Sequence, residues 1–222
     1  MLIFVDIDDV VWDLLKYWVE MLNEEHHLDV KVSDINNFDM RLFFPTLTDE
    51  EIYAPLKGSE LWRRVRLKPN ADTVIKRLME EGHDVRFATA THYMNVKPKF
   101  EMLQFYLPFV SWDSVIVTRD KSILMGDVII DDWKNNVINS RCPFKLLFDM
   151  PHNADVDCEE NGLVRVYRWE DIYDEIHAVF DQNKSIVGWR EYDPVGLQND
   201  IDLAVIEQRP TVRIDEEGCD EV

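Results

Sequence analysis

The sequence predicts an α/β protein. A parallel sheet is covered by helices on both faces, and a small, mostly helical segment is inserted after the first strand and helix. Three observations carry this reading. Short apolar runs of strand length (LIFV, VRFA, VIV, VII, FKLLF, LVRV) each give way to polar residues. From residue 70 onward they alternate with stretches of helical periodicity, the rhythm of strand–helix–strand units. Only residues 28–69 break the rhythm, with several turn signals and a dense set of aromatics.

In chain order, Leu2 to Val5 is short enough for a buried strand. Trp12, Leu15, Val19 and Leu22 then recur at helical spacing through WDLLKYWVEMLNEEHH, and His26-His27 ends that helix. Residues 28–69 carry Ser33-Asp34, Asn36-Asn37, Pro45, Pro55 and Lys57-Gly58 as turn signals. ADTVIKRLMEEG is an amphipathic helix stopped at Gly82, followed by the strand DVRFAT. VKPKFEMLQFYLPF is a helix that tolerates Pro98 near its start. SVIVT, DVII, FKLLF and LVRVY are strands, and WEDIYDEIHAVF is the closing helix. The expected organisation is a core of residues 1–27 and 70–182, an inserted segment at 28–69, and a C-terminal extension at 183–222. In that extension IDLAVIEQ and TVRI alternate like strands before an acidic end; they could pack on the body or pair two copies as a homodimer.

Bulk properties exclude several classes. Of 222 residues, 46% are hydrophobic, enough for a real core. No apolar run approaches the roughly 20 residues that span a bilayer, so no membrane partner is expected. MLIFVDIDD is too short and too acidic for a secretory signal. Cys142, Cys158 and Cys219 are an odd set without CxxC spacing, which suits a reduced, cytoplasmic setting. A net charge of −20 repels the phosphate backbone and argues against duplex nucleic acid. A small phosphate ester would need a local positive focus, and a metal ion with a lysine supplies one.

In a parallel sheet, ligands sit at the carboxyl ends of the strands. Those ends carry Asp6 and Asp8 after LIFV, Thr89 after VRFA, Thr118 to Lys121 after VIV, and Asp131-Asp132 after VII. Carboxylates with retained waters suit a hard cation such as Mg²⁺, and a lysine acts as a point charge on phosphate oxygens. Phosphoryl transfer needs an in-line nucleophile, charge neutralisation and a proton for the leaving oxygen. Each piece alone reads equally as a loop acid, a helix cap or a solvated lysine; the four in this order are the signal. Asp127 precedes its apolar run and should lie at the far, structural end of that strand.

These motifs resemble the haloacid dehalogenase-like phosphatases. FVDIDDVV is similar to their first motif, FAT to the second, TRDK to the third-motif lysine, and GDVIIDD to the fourth-motif acids. TRDKSILMGDVIIDD, FKLLFDMPHN and RVYRWEDIYDEI further resemble the 5′(3′)-deoxyribonucleotidases, over roughly residues 1–180. The resemblance implies a Rossmann-like core with a cap at 28–69, and a Mg²⁺-dependent phosphatase of nucleoside monophosphates. By the same resemblance Asp6 is the nucleophile and Asp8 the acid and base. Thr89, Ala90 and Lys121 bind phosphate. Asp6, the Asp8 carbonyl and Asp132 hold Mg²⁺, with Asp131 supporting Asp132 from behind. A base pocket of Leu14, Phe38, Phe44 and Trp62 is expected, though these aromatics could equally be the insert's own core. Two departures stand out: Asp9 replaces the family's usual Gly, and Ala90-Thr91 replaces Ser-Pro, with loss of one phosphate-binding hydroxyl. A phosphatase of another small ester, a transferase, or a non-catalytic nucleotide binder on the same fold remain the alternatives.

Overall fold

A computed structural model describes the backbone of residues 1–186 and the side chains of residues 1–180. The expected strands IDLAVIEQ and TVRI, the acidic end and Cys219 lie outside the described residues. Six strands form one parallel sheet: β1 (Leu2–Val5), β2 (Asp84–Thr89), β3 (Val115–Val117), β4 (Val128–Asp131), β5 (Phe144–Phe148) and β6 (Val164–Val166), in the order β3-β2-β1-β4-β5-β6. The chain adds strands on one side of β1 and then returns to add β4 on the other. The strand order therefore reverses between β1 and β4, where such sheets open a crevice.

The helices are α1 (Leu14–His26), α2 (Asp49–Lys57), α3 (Glu60–Arg64), α4 (Ala71–Glu80), α5 (Val96–Tyr106), α6 (Lys134–Ile138) and α7 (Trp169–Ile186). The strands read as apolar runs because both faces are covered. Ile3 and Val5 face one core with α1 and α4, while Phe4 faces a second with Ile129, Leu147 and Val137. α1 buries Leu14, Leu15, Trp18, Val19 and Leu22, and ends where His27 turns left-handed at φ 55°. Trp12 precedes this helix instead of belonging to it. Gly82, at φ 87°, makes the turn out of α4 that Cβ-bearing residues resist.

Residues 28–69 form 3₁₀ turns at Val32–Asp34 and Met40–Leu42, then α2 and α3. α2 starts on a capping box between Thr48 and Glu51. Ile35, Met40, Phe44, Ile52, Leu61, Trp62 and Val65 join the same apolar core as one face of the sheet. Among the described residues no helix is long and apolar enough to cross a membrane.

Candidate active site

β1 and β4 run in register from Ile3 opposite Val128 to Val5 opposite Ile130, and Asp6 N extends the ladder by donating to the Ile130 carbonyl at 2.8 Å. Asp6 thus lies beside Asp131 and Asp132 at the switch point. Asp6, Asp131 and Asp132 place one carboxylate oxygen each within 4.8 Å of the others, all buried. Asp6 Oδ1 accepts from Ile7 N at 2.7 Å and pairs with Lys121 Nζ at 2.8 Å, so both contacts fall on the same oxygen. Lys121 Nζ also donates to Asp131 Oδ2 at 2.6 Å. Asp131 Oδ1 accepts from Trp133 N at 2.9 Å, and Asn136 Nδ2 reaches both carboxylate oxygens at 3.0 Å. Asp131 is therefore saturated, whereas Asp132 Oδ2 pairs with His152 Nε2 at 3.1 Å.

Burial, reinforced by Asp131, Asp132 and Asp8, pushes the Asp6 carboxyl well above the usual range despite Lys121. Burial and then Asp131 push Asp132 to about 8. Burial alone would lower Lys121, but Asp6 and Asp131 outweigh it and hold its ammonium above the ordinary lysine value. Burial holds the His152 imidazole below its ordinary value. Converging buried acids that raise one another fit a hard divalent cation, because positive charge at their centre would relieve both the repulsion and the desolvation. Asp132 has an oxygen to give, whereas those of Asp131 are taken by Lys121, Trp133 and Asn136.

A cavity of about 610 Å³ opens over these acids. Asp6, Asp8, Lys121 and Asp132 lie on it, with Ala90, Thr91, Asn136 and His152. Segment 28–69 contributes Ile35, Asn37, Phe38, Met40, Tyr53 and Leu56, and α1 contributes Leu14, Leu15 and Trp18. Phe38 stacks on Trp133 at 4.7 Å between centroids and 16° between planes, and remains 53% exposed. Of the expected base pocket, Leu14 and Phe38 do line this cavity.

Phe44 and Trp62 do not. They are 1% and 2% exposed, and apolar packing against the sheet core has taken them from the cavity wall. Thr89 also lies one layer below the wall, where its hydroxyl accepts from Lys99 Nζ at 2.9 Å; Ala90 and Thr91 take the surface position. Asp9 adopts φ 57°, the left-handed conformation that a glycine would fill without strain. Its Oδ1 accepts from Leu15 N at 2.9 Å and so caps the first turn of α1 while the residue lines the cavity. Asp127 lies at the opposite end of the sheet, its Oδ2 accepting from Leu2 N at 2.6 Å.

Sequence reasoning missed Lys99. It is 2% exposed and donates to Asp8 Oδ2 at 2.5 Å as well as to Thr89. A signal was present, since Lys99 stands four residues before the buried Leu103 on the inward face of α5. Trp133, Asn136, Arg119, His92 and Tyr93 also line the cavity without having been singled out. Asn136 sits in the five-residue helix α6 and the others in loops and turns, where no periodicity reveals which way a side chain faces.

The sheet order, with acids at its switch point, is a fold shared with haloacid dehalogenase-like proteins. Solved structures share the fold: a predicted phosphatase from Clostridium acetobutylicum (TM-score 0.55, 13% identity, 79% of this chain and 97% of that one) and a haloacid dehalogenase-like protein from Agrobacterium tumefaciens (TM-score 0.55, 14%, 80% and 98%). Within that class, the chain belongs to the family described as 5′ nucleotidase, deoxy (pyrimidine), cytosolic type C, whose model matches residues 1–182. A 5′(3′)-deoxyribonucleotidase of Bacillus subtilis (strain 168) is 34% identical over 171 residues, covering 77% of this chain and 95% of the relative. One from Clostridium acetobutylicum is 28% identical over 165 residues, 74% of this chain and 88% of the relative.

Proposed function

We propose that this protein is a Mg²⁺-dependent phosphatase of nucleoside monophosphates, 5′-deoxyribonucleotides among them, and that segment 28–69 is the cap that receives the nucleoside. The carrying observation is the floor of the cavity. There Asp6 has one oxygen fixed by Ile7 N and Lys121, and the other left for attack. Membership in a nucleotidase family and the relatives' shared description support the substrate class.

The chemistry follows from the side chains. The free oxygen of Asp6 attacks phosphorus, the ester P–O bond breaks, and its electron pair passes to the nucleoside oxygen. Asp8 gives that oxygen a proton, yielding the nucleoside hydroxyl. Water then attacks the phosphorus carried on Asp6 and loses a proton to Asp8. The Asp6–phosphorus bond breaks with its electrons returning to the carboxylate, and phosphate leaves. Lys121 balances charge on Asp6 throughout. Asp6, Asp132 and the Asp8 carbonyl would hold Mg²⁺, which supplies charge neutralisation for the phosphoryl oxygens. The wall of Leu14, Trp18, Ile35, Phe38 and Tyr53 offers an apolar and aromatic surface of the kind a base stacks on.

A phosphate-release screen tests this reading. Ribo- and deoxyribonucleoside monophosphates should outperform ribose 5-phosphate and p-nitrophenyl phosphate in kcat/KM. Equal or better turnover of the esters lacking a base would contradict the nucleotide assignment.

A further inference from the structure

Asp8 is held from two sides. Oδ2 accepts from Lys99 Nζ at 2.5 Å, and Oδ1 accepts from the Trp12 indole Nε1 at 3.0 Å. The two donors differ in kind. Lys99 ends a four-carbon stem and is shared, its Nζ donating to Thr89 Oγ1 at 2.9 Å as well. Trp12 is fully buried, and its ring packs on Trp62 at 6.3 Å. Its backbone is pinned as well: Trp12 N donates to the Ile7 carbonyl at 3.3 Å, Asp13 N to the Arg66 carbonyl at 3.0 Å, and Lys68 N to the Val11 carbonyl at 2.9 Å. The indole N–H has one direction open to it, toward Asp8.

We propose that Trp12 is a positioning residue for the proton donor Asp8, its indole holding Oδ1 and so setting the direction in which the carboxyl group faces. Lys99 also lies 5.1 Å over the ring of Trp62, so a residue of segment 28–69 backs both groups that hold Asp8. Trp62 itself, among the described residues, makes no hydrogen bond through its buried indole nitrogen. This leaves Trp62 as packing and Trp12 as the oriented donor. The inference rests on the proton-donor reading of Asp8 given above.

The test uses a leaving group that needs no proton. p-Nitrophenolate departs unaided, whereas a nucleoside alkoxide requires the acid. First-turnover release of leaving group is measured for a deoxynucleoside 5′-monophosphate and for p-nitrophenyl phosphate, in wild type, Trp12→Phe, Trp62→Phe and Asp8→Asn, with thermal unfolding of each. The readout is the ratio of the two rates, which a general loss of folded protein does not change. Trp12→Phe is expected to lower that ratio about tenfold or more, in the same direction as Asp8→Asn, while Trp62→Phe keeps it. If Asp8→Asn lowers the ratio and Trp12→Phe does not, the positioning role is overturned and the phosphatase reading survives. If Trp62→Phe lowers it as much as Trp12→Phe, packing and not the indole bond is responsible, and the proposal is again overturned. If Asp8→Asn itself leaves the ratio unchanged, the proton-donor reading fails first.

Discussion

The two ends of the sheet treat charge in opposite ways. At the amino ends each polar group closes a local account. Asp127 accepts from Leu2 N at 2.6 Å, Asp84 pairs with Arg86 at 2.6 Å, and the Met1 ammonium faces His83 Nδ1 at 3.3 Å. At the carboxyl ends, Lys121 serves both Asp6 and Asp131, Lys99 serves Asp8, and Asp132 has a histidine, His152, in place of a lysine. The first arrangement pairs half-buried groups locally and holds the strands in place. The second leaves an excess of buried negative charge, which costs stability until a cation arrives. Such an imbalance marks the working end of the fold.

The largest expected effect falls on that imbalance. Removing divalent metal with chelator should abolish turnover and lower Tm. Asp132→Asn should likewise lose activity, yet in chelator it should stabilise the fold by about 1–3 kcal/mol, because it deletes a buried charge with no cation to balance it. Calorimetry of both proteins with and without Mg²⁺ checks this; a destabilised Asp132→Asn in chelator would mean the acids are structural, like those of the opposite end.

The amino end should answer to pH instead. Burial, and then the Met1 ammonium, lower the His83 imidazole to about 4, with His177 adding to them and Glu81 and Asp127 opposing. A depressed histidine means that the neutral form is preferred in the folded state. Its contribution is present above the unfolded value near 6.5 and is lost as pH falls toward 4, by about 1–3 kcal/mol. The difference in unfolding free energy between wild type and His83→Gln should therefore change across pH 6.5 to 4 and stay level above 7. A level difference throughout would remove His83 from the account.

The smallest effect concerns the cavity wall. Phe38→Ala should raise KM for a deoxynucleotide about 5- to 10-fold, within the roughly 1–3 kcal/mol of base stacking, and leave KM for p-nitrophenyl phosphate nearly as it was. Equal changes for both would show that Phe38 serves the fold alone.

Much of this contrast was legible in the sequence. Apolar runs of strand length ending in Asp6, Thr89 and Asp131-Asp132 located the carboxyl end, because a parallel sheet buried on both faces announces itself by continuous hydrophobicity. Asp127 was placed at the far end by its position before its strand. The wall was harder to read. Phe38 and Trp62 stand in one segment with one chemistry, yet one is 53% exposed against Trp133 and the other 2% exposed behind Lys99. Only tertiary packing separates them, and no short-range pattern in a segment of turns encodes it. Trp12 looked like the first core position of a helix because it fits the spacing of α1; the helix begins two residues later, and its indole turns to Asp8. Helix α6 has five residues, too few for a periodicity to show.

Asp6, at the end of β1, is expected to carry the phosphoryl group in a metal-dependent reaction. Phosphate release from a 2′-deoxynucleoside 5′-monophosphate, by wild type and by Asp6→Asn, each with Mg²⁺ and with chelator, tests it most directly. The account predicts turnover only for wild type with Mg²⁺, and a loss on the order of 10⁴-fold or more for a folded Asp6→Asn. Near-wild-type release by folded, undeamidated Asp6→Asn, or full activity of wild type in excess chelator, would contradict it.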